Sequence, residues 1–238
     1  MIVLCMQYWE GDKQRAQSVA RLIADLQPQK DDSFAFMFLR RFDASPVDEE
    51  TLGYVGRKFN LYTHTCRRKE VGWPAGCNGM ASDAFMLAQE KWNRGEWKRV
   101  TGVWLLEADI LPLQRNWLYR IEREWKMALE DKKLVMGAWS EHHSPVGHIN
   151  GNMLFHPSLC DRVPGLEGSA PHIGWDVYHA HRLSRHWWKS NQMLNLYRGQ
   201  NVSTVDLYRP GTKYAFVHGI KDDSGLQIIR RRFFENTA

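Results

Sequence analysis

Two carboxylates, Glu107 and Asp109, close an apolar run in GVWLLEADILPLQRNWL, Gly102 to Leu118. Residues two apart in a strand point to the same side, so both can offer oxygens to one point in space. Like charges held that close repel unless something positive lies between them. In an open α/β sheet, ligands bind beyond the carboxyl ends of the strands, which is where VWLLE stops. A hard divalent cation with oxygen ligands accounts for the pair, and Mg²⁺ or Mn²⁺ suits a site that also holds phosphate. The same spacing also fits a helix-capping Asp109 beside a solvated Glu107. Asp109→Asn separates the two: a strand-end carboxylate adds little to a core, so the metal-free fold should keep its stability.

The elements that position these acids alternate in type. IVLCMQY reads as a buried first strand. GDKQRAQSVARLIADLQP follows as a helix with Ala16, Val19, Ile23 and Leu26 on one face and Asp12 placed to cap. FAFMFL gives a second strand, PVDEETLGYVGRKF a short helix and NLYTH a third strand. The Gly and Pro content of TCRRKEVGWPAGCNG marks a binding loop. A helix from Met80 to Asn93 leads to the strand that carries the acids, and Pro112 starts an amphipathic helix over LQRNWLYRIEREWKMALE. KLVMGAW reads as a further strand; beyond it, strands at NVSTVDLY and KYAFVHG and a helix beginning near Asp176 interrupt a loop-rich C-terminal third. Strands alternating with helices predict an α/β fold, and the absence of a linker predicts one domain over 1–238.

Bulk composition fits a globular chain: 43% of residues are apolar and 25% charged. The four cysteines form no C-x-x-C pair, and MIVLCM lacks the basic flank of a signal peptide, so a cytoplasmic protein is expected. A net charge of +5, with basic clusters at Arg67–Lys69, His181–Lys189 and Arg230–Arg232, favours polyanion partners; each run taken alone also fits a solvated face. Of the eleven tryptophans, Trp73, Trp139, Trp175, Trp187 and Trp188 sit beside loops or basic residues, where a ring can stack on a sugar or base or pack in the core. His142, His143, His148 and His156 match no helical zinc-ligand spacing.

Further stretches sharpen the reading: RRFDAS, CRRKEVGWPAGCNG, GHINGNMLFHP, IGWDVYHAH and FVHGIKD, in that order along the chain. With the Glu107-Ala108-Asp109 triplet, they resemble glycosyltransferases of the GT-A fold, a Rossmann-type mixed sheet flanked by helices, in which a D-x-D triplet holds a metal and the donor diphosphate. The resemblance implies Asp109, His218 and Glu107 as metal ligands, Glu107 being a departure from the triplet's first Asp. Lys221 would meet the diphosphate. Asp43, Tyr8 and Trp9 would contact the nucleoside, and Arg67, Arg68 and Asn78 the phosphates or sugar. Asn150, Gly151 and Asn152 would line the sugar pocket, the two asparagines bonding sugar hydroxyls. Asp176 would act as base or hold the acceptor. Structural readings stand beside several of these: a turn-forming Asp43, a core Trp9, a helix-capping Asp176, a β-turn at Asn150–Asn152 and a structural His218.

The resemblance further implies a nucleotide-binding half (1–110), an acceptor half (111–238) and a nucleotide-sugar donor, a UDP-sugar first among them. The first half also looks like phage-type enzymes that glycosylate modified DNA bases. With the basic charge, this makes DNA carrying a 5-hydroxymethylated pyrimidine the favoured acceptor, reached by flipping the base. A glycan, protein or small-molecule acceptor is the alternative within the class. A non-catalytic nucleic-acid-binding module is the alternative outside it, and a metal-dependent phosphoesterase would need more clustered Asp and His residues than the chain offers.

Overall fold

The computed structural model describes residues 1–141, 147–168, 170–196, 207–209, 211–221 and 223–235. His142, His143, Asp222 and most of the expected strand NVSTVDLY lie outside them.

Four parallel strands form one half of the main sheet: β1 (Ile2–Tyr8), β2 (Phe34–Arg40), β3 (Asn60–Thr65) and β4 (Gly102–Leu106). Further along the chain come β5 (Ile110–Pro112), β6 (Val135–Gly137), β7 (Trp139–Ser140), β8 (His148–Ile149), β9 (Leu154–Phe155) and β10 (Trp187–Lys189). The seven-stranded sheet runs β10-β6-β9-β4-β1-β2-β3, with β9 antiparallel to both neighbours. β11 (Met193–Asn195) and β12 (Phe216–His218) join β5 in a second sheet, ordered β11-β12-β5.

Both faces of the main sheet are covered, which explains why β1 and β2 are apolar at nearly every position instead of alternating. Ile2, Leu4, Met6 and Tyr8 pack with Val19 and Ile23 of α1 (Lys13–Leu26) and with α4 (Trp117–Glu130), through Ile121 and Trp125. Val3 and Cys5 point the other way, toward Ala81 and Phe85 of α3 (Ala75–Asn93) and Trp175. The described helices include none long and apolar enough to cross a membrane.

Several element boundaries differ from the sequence reading. Asp12 makes no side-chain cap to α1; it ends a 3-10 turn, Glu10–Asp12, that precedes the helix. α3 begins at Ala75, so Asn78, expected in a loop, sits inside a helix. Pro112 does not start α4. It ends β5, opposite Phe216 of β12, and the antiparallel pairing continues as Leu113 N–H donates to Ala215 O (2.8 Å). A proline at a strand end forfeits no ladder bond, which is why tertiary pairing overrides its helix-start preference there. KLVMGAW divides at Ala138, β6 joining the main sheet and β7 pairing with β8. A short helix, α6 (Trp175–Tyr178), is preceded by Gly174 as its cap, leaving Asp176 in the first turn.

Candidate metal and donor site

β4 ends at Leu106, and the chain turns through Glu107 and Ala108 to Asp109 before entering β5. Ile110 of β5 pairs with His218 of β12, and His218 pairs with Asn195 of β11. The small sheet therefore carries His218 to the carboxyl end of β4, where neither residue's sequence neighbourhood would put it. His218 Nε2 lies 3.0 Å from Asp109 Oδ1 and 3.3 Å from Glu107 Oε2. One ligand atom from each of the three residues fits within 4.8 Å of the others. Lys221 Nζ pairs with Asp109 Oδ2. Gly219 allows the turn between His218 and Lys221: its φ of +99° is left-handed, and a Cβ there would strike Leu196 O. The N–H groups of Gly219 and Ile220 donate to Asp109 O, at 3.2 and 3.0 Å.

The donor set fits a divalent cation. Asp109 Oδ1 is buried and, though near His218 Nε2, is out of line for a hydrogen bond, so a carboxylate oxygen is left without a hydrogen-bond partner. His218 Nδ1 and Asn195 Oδ1 are 2.6 Å apart. An amide oxygen only accepts, so Nδ1 carries a proton and Nε2 is the nitrogen turned to the carboxylates, the arrangement that ligating histidines use. Two carboxylates and one imidazole suit Mn²⁺ and admit Mg²⁺.

Electrostatics agree. Burial works against the His218 imidazolium, but the adjacent carboxylates of Asp109 and Glu107 outweigh it and lift the group to about 9. Burial likewise opposes ionisation of Asp109, yet His218 and Lys221 hold it well below the usual carboxylate range. A cation entering the site would replace the proton on His218, so its binding releases one. Asn195→Ala removes the acceptor that fixes the ring, and is expected to weaken Mn²⁺ binding roughly 10–100-fold, read by calorimetry.

Asp176 and Glu107 both approach Gly151. A Cβ on Gly151 would lie 3.6 Å from Glu107 Oε1 and 3.7 Å from Asp176 Oδ2, ordinary contact distances, so the glycine borders both acids. Asp176 Oδ1 accepts from Val177 N–H (2.9 Å), and His148 Nε2 is 3.6 Å from Oδ2. Burial, offset in part by backbone N–H groups and reinforced by Glu107, raises Asp176 to about 6. Asn152 Oδ1 accepts from Glu107 N–H (2.8 Å), and Asn150 Oδ1 accepts from Asn152 N–H (3.1 Å), so this asparagine pair braces the backbone at Glu107.

Other residues singled out from the sequence lie elsewhere or are otherwise engaged. Tyr8 is buried, its hydroxyl donating to Ser45 O (3.2 Å). Trp9 is 44% exposed under the Arg41 guanidinium, 5.4 Å from its ring, and Arg41 forks onto Asp43 at 2.6 and 2.8 Å. Asn78 is buried and committed: Nδ2 donates to Ala170 O and Ile173 O, and Oδ1 accepts from Trp175 N–H, tethering the segment that leads to Asp176. Arg67 pairs with Asp83 (2.8 Å) and Glu90 (3.1 Å) beside a groove of about 410 Å³ lined by Tyr62, His64 and Arg94. Arg68 pairs with Glu70 at 2.7 Å. Sequence reasoning missed Asn195, Arg41 and Cys77. Cys77 lies near enough to Glu107 and Asp12 that their charges, after burial, push its thiol up to about 12.

The seven-stranded mixed sheet flanked by helices is similar to the GT-A fold of solved glycosyltransferases. Mouse xyloside xylosyltransferase 1, in its apo form, is similar over 92% of this chain and 98% of its own, with a TM-score of 0.54 and 12% identity. An active-site mutant of LgtC is similar over 97% and 94%, with a TM-score of 0.57 and 11% identity. TarS of S. aureus is similar over 96% of this chain and 38% of its own, with a TM-score of 0.52 and 7% identity. At such identities the likeness is one of fold. No protein-family model and no curated protein matches the sequence.

Proposed function

We propose that this protein is a metal-dependent glycosyltransferase that moves a sugar from a nucleotide-sugar donor, a UDP-sugar first among them, to a hydroxyl acceptor. The observation that carries the reading is the meeting of Asp109, Glu107 and His218 at the end of the central strand in a GT-A fold. Asp109 and His218 would hold Mn²⁺ or Mg²⁺, with Glu107 at the more open side, its side chain 43% exposed. An ion held by these residues would supply Lewis-acid neutralisation of a departing diphosphate. Lys221, 68% exposed, can exchange Asp109 for a phosphate oxygen and hold positive charge where the leaving oxygen gains negative charge. Trp9, Arg41 and Asp43, at the ends of β1 and β2, would receive the nucleoside. Asp176, raised to about 6, is ionised at neutral pH yet basic enough to take a proton from an acceptor hydroxyl if the sugar's configuration inverts. If configuration is retained, it orients the sugar.

For the acceptor, a net charge of +5 supports DNA bearing a 5-hydroxymethylated pyrimidine, as does Trp73, 85% exposed and close in sequence to the basic run Arg67–Lys69. The pairing of Arg67 and Arg68 with Asp83, Glu90 and Glu70 favours the second reading, a glycan or small-molecule acceptor, because those cations are already neutralised. Incubation with Mn²⁺ and a panel of nucleotide sugars, with and without hydroxymethylated DNA, distinguishes them through nucleoside diphosphate release. Release that rises only with the modified DNA supports the first acceptor. Release with a glycan panel alone supports the second. DNA binding without release under any donor or metal would refute transfer and leave a binding module.

A further inference from the structure

One guanidinium joins the two chain segments whose side chains meet at the Asp109–His218 cluster. Arg15, on the first turn of α1, donates from Nε to Ala108 O at 3.0 Å, the carbonyl between Glu107 and Asp109. Its Nη2 donates at 2.5 Å to Ile220 O, the carbonyl between Gly219 and Lys221. Its Nη1 pairs with Asp223 Oδ1 at 2.8 Å, just beyond. The Arg15 side chain is 15% exposed and its two carbonyl bonds are partly buried, whereas Asp223 is 73% exposed. α1 is itself fixed by Val19 and Ile23 in the core.

We propose that Arg15 is a positioning residue: it staples the Glu107–Asp109 turn to the His218–Lys221 loop and so pre-sets the spacing of the ligands that would hold the metal. The proposal rests on the metal-dependent reading above for its purpose, not for its geometry. The two segments also touch through Asp109 O, which accepts from the Gly219 and Ile220 N–H groups, and through the pairing of His218 and Lys221 with the Asp109 carboxylate. Arg15 adds bonds to Ala108 O and Ile220 O from a helix anchored in the core. Ligand groups act at full strength only when held within about 0.5 Å of their working geometry, which an unclamped loop does not provide. A lysine cannot replace it, because one ammonium at the end of a flexible stem does not span acceptors lying in separate directions as a planar fork does.

The test compares wild type with Arg15→Ala, Arg15→Lys and a control on the same helix, Arg21→Ala. Arg21 binds Thr51 and Glu50 and has no bond to the site. Free Mn²⁺ is titrated by electron paramagnetic resonance with UDP present, and amide exchange of residues 219–221 is followed in metal-free protein, both well below the melting temperature. Both Arg15 variants are expected to weaken Mn²⁺ binding roughly tenfold and to speed exchange at 219–221 by a similar factor, while Arg21→Ala lowers the melting temperature and moves neither. Affinity and exchange in Arg15→Ala within twofold of wild type would overturn the proposal, as would an Arg21→Ala that moves both equally. If wild type binds no Mn²⁺, the functional reading fails and the exchange rates alone decide the staple: faster exchange in both Arg15 variants sustains it, unchanged exchange removes it.

Discussion

Asp109→Asn is expected to reduce Mn²⁺-dependent transfer by roughly a thousandfold or more, since Lewis-acid stabilisation of a departing diphosphate is worth several kcal/mol and each 1.36 kcal/mol is tenfold in rate. The variant is also expected to lose about 1–3 kcal/mol of stability in the absence of metal. Sequence reasoning pointed the other way on this second count, treating the residue as a strand-end carboxylate of little structural weight. Asp109 is instead only 6% exposed, faces His218 and Lys221, and anchors the following loop. Its lowered pKa fixes the sign with pH. Stability from the ionised form is present above the ordinary carboxylate range and is lost as pH falls through the folded-state value. The gap between wild type and variant should therefore be full at pH 7 in chelator and narrow under strong acid, as read by denaturant unfolding.

Asp176→Asn is expected to move stability and activity in opposite directions. A carboxyl raised from 3.8 to about 6 binds its proton more tightly folded than unfolded. Below pH 3.8 both states are protonated and the group contributes no difference; as pH climbs through 6 the folded protein must bury a charge and loses stability. The asparagine carries no charge, so the variant should be more stable than wild type by about 1–3 kcal/mol at pH 8 and equal to it near pH 3.5, because each tenfold difference in proton affinity between the folded and unfolded chain is worth about 1.36 kcal/mol. Transfer should fall by about 10²–10⁴-fold if the carboxylate takes the acceptor's proton. A destabilised variant at pH 8 would show that Asp176 is held by a partner that favours its charge.

The first half of the fold was legible because its signals are local. An unbroken apolar run in IVLCMQY, the 3.6-residue spacing of Val19 and Ile23, and the end of VWLLE at two acids each specify an element without reference to distant residues. The boundaries that went astray were set by tertiary pairing. Pro112 reads as a helix start until β12 arrives to pair with β5. The five residues before Met80 look like loop, yet Asn78 inside the helix gathers the carbonyls of Ala170 and Ile173, some ninety residues away in sequence.

The same division holds in the site. Glu107 and Asp109 stand out because carboxylates are unusual at the end of an apolar strand, whereas His218 and Lys221 are named only through the resemblance of FVHGIKD to the late His-Gly element of the GT-A fold. Asn195 and Arg15 do not stand out, because an asparagine in a loop-rich stretch and an arginine on an amphipathic helix are ordinary. What makes them matter is the register of β11 against β12 and the distance from α1 to the turn at Ala108, neither of which a single sequence displays. Arg67 and Arg68 show the converse: their cluster invites a phosphate, and neighbouring acids hold them instead.

The central claim is that Asp109 and His218 grip one divalent ion. Anomalous diffraction from a crystal soaked with Mn²⁺ and UDP tests it most directly. The account predicts a single strong peak about 2.0–2.3 Å from a carboxylate oxygen of Asp109 and from Nε2 of His218, with Lys221 released toward the diphosphate. Density for UDP with no metal peak there, the imidazole still resting against Asp109, would contradict it.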